Sequence, residues 1–173
     1  AIDHSTVAEQ WSEVMSARGP RLDVLVKVDV GYQRCGIAPE MTQAVAFLSH
    51  VTTLPGLRLR GLLSHAGQSY DVGSAEELAA VAKDEAETLR ALADGARQAG
   101  VKIDEISVGS TATAMLSASE PDLTELRPGN YVYYDRSQVA IGSASLDDCA
   151  LSVMATVVSK PASNRIVLDC RST

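Results

Sequence analysis

The chain has 173 residues, 46% hydrophobic and 21% charged, which suits one soluble globular domain and is short for two. With 15 Lys and Arg against 22 Asp and Glu, the net charge of −7 argues against a nucleic-acid surface, which needs a clustered basic face. No apolar run approaches the roughly 18 residues of a membrane-spanning helix, and no basic segment followed by an apolar one marks a signal peptide.

Cys35, Cys149 and Cys170 are an odd number without a CxxC spacing. That argues against a disulfide framework or a structural zinc site and points to a reducing, cytoplasmic compartment. They are expected as small half-buried residues. The chain opens AIDHSTVAEQ, without Met, which is expected to reflect processing or truncation.

In chain order, residues 5–18 read as an amphipathic helix with Val7, Trp11, Val14 and Met15 on one stripe, ended by Gly19-Pro20. Residues 22–30, LDVLVKVDV, are β-branched and almost continuously apolar, the pattern of a strand buried on both faces of a parallel sheet. A helix over 39–53 is stopped by Pro55-Gly56, and residues 57–64 form a second strand. Ser74 and Glu77 form a capping box that opens a helix running to about 98. Further strands are expected at 103–108 and 131–134, and the alternation predicts a parallel sheet with helices outside. After 148 the texture changes. Two strands joined by the turn PASN, with no helix between them, should pair antiparallel. A boundary falls near 145–150. Four β/α strands in so short a chain are half of what a closed (β/α)₈ barrel of about 250 residues needs.

Four turns follow these strands: VDVGYQRCGI at 28–37, GLLSHAGQSY at 61–70, SVGSTATA at 107–114 and ELRPGNYVYYD at 125–135. Each joins a strand to a glycine-bearing turn, and turns that gather N–H groups and hydroxyls at one end of a sheet suit an anionic cofactor. Arg34 either projects an always-charged fork toward a ligand at the sheet mouth or lies on a solvated loop. Lys27 and Asp29, inside an apolar strand, need partners because isolated buried charges are costly. His65 is either a general base or a hydrogen-bonded core histidine, and Tyr70 offers a phenol. Ser110 and Thr111 of the GST turn converge on a phosphate or serve as caps. Gly129-Asn130 of RPGN adds a further turn. His4 and His50 read as surface residues. The sequence contains no HExxH, GxSxG, Walker or GxGxxG motif, which disfavours the corresponding proteases, hydrolases, NTPases and dehydrogenases.

Together these four segments resemble the D-threonine aldolase and D-serine dehydratase group of the alanine-racemase-like (fold type III) enzymes that use pyridoxal 5′-phosphate (PLP). The likeness runs in matching order along the whole chain. It implies an α/β fold over residues 1–148, the C-terminal half of a PLP-binding (β/α)₈ TIM-type barrel lacking its first strands. Residues 149–173 would then start a C-terminal β domain. The resemblance further implies that Arg34 faces the cofactor's phenolic oxygen. Tyr70, Ser110, Thr111, Gly129 and Asn130 would cradle the cofactor, mostly at its phosphate. Lys27 takes the position of a carbamylated lysine of alanine racemases, and His65 is a candidate base. The Schiff-base lysine is expected upstream of Ala1 and the ligands of a divalent metal after residue 173, none within this chain.

The implied activity is a PLP-dependent lyase on β-hydroxy-D-amino acids, inactive as this piece alone. An amino-acid racemase and a non-catalytic PLP-binding protein are the alternatives. The implied partners are a D-amino acid substrate and, at full length, a second copy in a homodimer, with no nucleic acid and no membrane. Three departures stand out: Gln68 where relatives often have His, Leu63 where they have Tyr, and Cys170-Arg171 where they have small residues.

Overall fold

The computed structural model describes residues 1–170; Arg171 of the last departure lies outside them. Helices and strands alternate: α1 (Ser5–Arg18), β1 (Leu22–Lys27), α2 (Met41–Thr53), β2 (Leu57–Leu63), α3 (Ala75–Gln98), β3 (Glu105–Val108), the one-turn α4 (Ala114–Ser117) and β4 (Glu125–Leu126). The strands make one parallel sheet in the order β1-β2-β3-β4, the result when each crossover carries a helix. Ile2 extends the β1 edge, its N–H donating to the Leu25 carbonyl at 3.0 Å while its carbonyl accepts from Lys27 at 2.8 Å.

Alternation decides the faces. Val24, Val26 and Val28, with Leu62, Ile106 and Val108, are buried against Leu48 of α2 and Leu89 and Leu92 of α3. Each such side chain contributes about 1.5–3 kcal/mol when fully buried. Between them the register sets Lys27 beside Leu63, Leu63 beside Ser107 and Ser107 beside Glu125. That row lies at the C-terminal end of the sheet, on the face turned away from the helices.

Several expectations shift. The first strand ends at Lys27 rather than at 30, because the Asp29 carboxylate accepts N–H bonds from Gly31 at 2.9 Å and Gln33 at 3.0 Å and turns the chain. Asp29 therefore pairs with backbone, not with Lys27. The third strand begins at Glu105, two residues late. The fourth strand is Glu125–Leu126, and 130–132, overlapping the strand expected at 131–134, form a 3₁₀ turn. Thr124 and Arg127 donate their N–H groups to Ile106 and Val108 carbonyls on β3 at 2.9 and 2.8 Å, after which Pro128 has no N–H to continue the ladder. In α1 the buried residues are Ala8 and Ser12, while Val7, Trp11 and Val14 are exposed. The helix backbone comes close at this point: a Cβ on Gly56 would stand 2.1 Å from the Ser12 carbonyl oxygen, so position 56 needs glycine, and the Ser12 hydroxyl accepts the Gly56 N–H at 3.0 Å. Cys35 and Cys170 are exposed, against the half-buried expectation, and Cys149 is half-buried.

Beyond the sheet, α5 (Arg136–Ile141), which the sequence did not announce, is capped by Asp135 accepting the Gln138 N–H at 3.0 Å. The expected antiparallel hairpin is present but shifted: β5 (Val157–Ala162) begins at Val157 rather than directly after 148 and takes in Pro161 and Ala162 of the expected turn, and it pairs with β6 (Arg165–Leu168), both strands exposed. Among the described residues no helix is long and apolar enough to cross a membrane.

Candidate functional site

The turns after β1 and β2 meet through an aromatic ring. The Arg34 guanidinium carbon stands 5.3 Å from the centre of the Tyr32 ring, within cation–π range. The same ring meets the His65 imidazole edge-on, with centroids 6.0 Å apart and planes at 81°. Gly67 makes room for this stack, since a Cβ there would lie 2.4 Å from the tyrosine ring. His65 Nδ1 donates to the Gly109 carbonyl, which places the proton on Nδ1 and leaves Nε2 free. Burial pushes the His65 pKa down. The Gly109 bond opposes this, and the charges of Arg34, Lys27 and Arg127 push it down further. Lys27, Asp29, Tyr32, Arg34, Cys35 and His65 surround one small cavity. Lys27 is itself held below its ordinary value, first by burial, with Arg127 and Arg34 adding to that and Cys35 opposing it.

The turns after β3 and β4 are joined by hydroxyls. Ser110 Oγ lies 2.9 Å from Ser69 Oγ, both buried. Thr111 Oγ1 accepts the Asn130 N–H at 2.8 Å, and Asn130 Nδ2 donates to Asp135 at 2.7 Å. Gly129 faces open space, with no atom within 4 Å of where a Cβ would stand. Tyr70 ends the 3₁₀ turn that carries Ser69 and is 41% exposed. The sequence-predicted residues therefore come together as pairs along one sheet end: Arg34 with His65, Ser110 beside the Tyr70 turn, and Thr111 with Asn130. A roomier groove of about 410 Å³ opens beside Asp29, Gly31, Pro39 and Thr88. It gathers neither cations nor a hydroxyl cluster, so the chemistry is assigned to the polar sheet end. Among the described residues no three His, Cys, Asp or Glu side chains cluster as a metal site.

Residues 1–137 match the family described as alanine racemase, N-terminal domain. The chain belongs to that family. It is 33% identical over 171 residues to a D-threonine aldolase of Arthrobacter sp, covering 97% of this chain and 45% of that protein. It is 32% identical over 157 residues to the D-threo-3-hydroxyaspartate dehydratase of Delftia sp. (strain HT23), covering 91% of this chain and 41% of that one. The solved structure of the Delftia enzyme superposes with a TM-score of 0.83 at 32% identity, over 90% of this chain and 41% of that chain. A D-threonine aldolase from Filomicrobium marinum superposes with a TM-score of 0.80 at 26% identity, over 98% and 46%. The chain thus spans less than half the length of these relatives.

Within this alanine-racemase-type domain, two site residues escaped the sequence reading. Arg127, taken there as part of a turn, reaches back across the sheet: Nε donates to Ser107 Oγ at 2.7 Å, and Nη2 donates to the Ser64 carbonyl. Burial lowers its pKa, while Glu125 and Glu85 raise it. Its signal was the two-residue offset from Glu125, which puts both on one strand face. Glu85 of α3 is 1% exposed. It interrupts the apolar stripe of Leu78, Ala82, Leu89 and Leu92 at helical spacing, and a charge on a buried stripe was the available clue.

Proposed function

We propose that this chain is part of a PLP-dependent lyase acting on β-hydroxy-D-amino acids, of the D-threonine aldolase or D-serine dehydratase type. In this reading residues 1–148 supply barrel structure and 149–173 begin a β domain. The observation that carries it is that the charges of Lys27, Arg34 and Arg127 all act on His65 while Arg127 and Ser110 line one small pocket at the same sheet end, in a chain whose net charge is −7. A concentration of cations against the overall charge favours an anionic ligand. The open Gly129 and the hydroxyl-lined turns beside it let a phosphate approach backbone closely.

In this assignment Arg34 binds the cofactor's phenolic oxygen, and Ser110, Thr111, Gly129, Asn130 and Tyr70 hold its phosphate. His65 keeps its own proton on Nδ1, so Nε2 is the atom that takes a proton from the substrate. When bound, PLP supplies the electron sink at the amino-acid Cα. The Schiff-base lysine and the ligands of a divalent metal belong to residues outside this chain, and the working form is a cytoplasmic homodimer.

The test is PLP titration of the chain followed by absorbance. Saturable binding is expected, and Arg34→Ala weakens it by roughly tenfold or more, the loss typical of one charge-assisted hydrogen bond. Absence of saturable binding overturns the reading. For the longer protein with PLP and a divalent metal, glycine from D-threonine or pyruvate from D-serine is the expected product. Appearance of both antipodes of the substrate would mark a racemase instead.

A further inference from the structure

Ser64 is the joint of the polar sheet end. It follows β2 directly, and each of its polar groups is engaged: its N–H donates to the Ser107 carbonyl at 2.9 Å, its carbonyl accepts from Arg127, and its hydroxyl donates to Glu85 Oε1 at 2.5 Å. The next residue is His65. Glu85 comes from the opposite direction, from the middle of α3, where it is almost completely buried and its Oε2 has no hydrogen-bond partner.

A buried carboxyl is an expensive way to receive one serine hydroxyl, because an apolar residue opposite alanine would fill the same space without desolvating an acid. The groups that offset this cost are Ser64, the backbone at Ala66, Arg127 and Lys27. Two of them are the cations of the candidate site, and the other two flank His65. The acid is therefore coupled to the site and not merely enclosed beneath it. We infer that Glu85 is a positioning residue: through Ser64 it fixes the carbonyl that Arg127 grips and the turn that carries His65. The positioning stands on the contacts alone; its consequence for cofactor binding rests on the PLP reading.

The experiment uses two side-chain protons as reporters, Arg127 Nε–H and His65 Nδ1–H, followed by ¹H–¹⁵N NMR hydrogen exchange in the apo chain. Glu85→Ala is expected to accelerate exchange of both by roughly tenfold or more, the size of one lost hydrogen bond to a charged group. Glu85→Gln, which keeps an acceptor for Ser64, restores slow exchange. Ser64→Ala, a smaller change that serves if Glu85→Ala does not fold, reproduces the acceleration, and the double variant adds nothing to it. If Glu85→Ala lowers the melting temperature but leaves both protons unchanged, or if the two substitutions act additively, Glu85 is only a core residue. The same variants are then titrated with PLP. If the wild type binds no PLP, the lyase reading fails while the exchange data still decide the role of Glu85.

Discussion

At the scale of single residues, two glycines separate folding from binding. Gly36 has φ +119°, and a Cβ there would stand 2.6 Å from the Asp29 nitrogen. The loop closes at this point, with the Gly36 N–H on Asp3 at 3.0 Å and the Ile37 N–H on the Lys27 carbonyl at 2.8 Å. Gly36→Ala combines left-handed strain with a backbone clash, so it should destabilise by about 1–3 kcal/mol or more. A lower urea midpoint with an unchanged slope would register this. Gly129 is the opposite case. Its φ of −94° and ψ of −45° suit any residue, and nothing stands within 4 Å of the added Cβ. Gly129→Ala should leave stability within about 0.5 kcal/mol yet weaken PLP, because the methyl fills the space an anion would use. Equal PLP affinity in wild type and Gly129→Ala would remove Gly129 from the cradle.

At the scale of elements, α3 is the member that ties the helical layer to the site, and its start sets its register. Ser74 Oγ accepts the Glu77 N–H at 3.1 Å, while the Glu77 carboxylate returns to the Gly73 N–H at 2.7 Å, one residue before the expected box partner. Ser74→Ala should therefore cost about 1 kcal/mol in thermal unfolding, the usual loss of a serine cap. Caps, helical stripes and apolar strands of this kind were legible in the sequence because they depend on near neighbours. The end of β1 was less so: LDVLVKVDV is apolar beyond Lys27, and only the Asp29 carboxylate turning onto Gly31 and Gln33 stops it. Tyr131–Tyr134 have strand-forming side chains, yet pairing with β3 is taken by Glu125 and Leu126, a competition no local propensity records. Arg34 and the GST turn could be found from type and position. Arg127 and Glu85 each left a local clue, an offset from Glu125 and a charge on an apolar stripe, but the partner that gives them a role, Ser64, lies 63 and 21 residues away.

At the scale of the whole molecule, the same burial that assembles the site makes its stability depend on pH from two sides. Burial raises the Glu85 pKa, opposed in part by Ser64, Arg127, Lys27 and the Ala66 backbone. The native state therefore holds that proton more tightly than the unfolded chain does. This contribution is fully present below the ordinary glutamate value of about 4.3 and is lost as pH rises through the raised value. His65 behaves in the opposite sense. Burial lowers its pKa, so its contribution is present above about 6.5 and is lost as pH falls through the lowered value. Glu85→Gln removes the first effect and leaves the second. The stability difference between Glu85→Gln and wild type should therefore grow in favour of the variant as pH rises from about 4.3, at no more than about 1.4 kcal/mol per pH unit. It should level off once native Glu85 has ionised beside Lys27 and Arg127. Urea midpoints across that range measure it directly, and a difference that stays flat with pH would mean that Glu85 titrates in the folded protein as it does in the open chain.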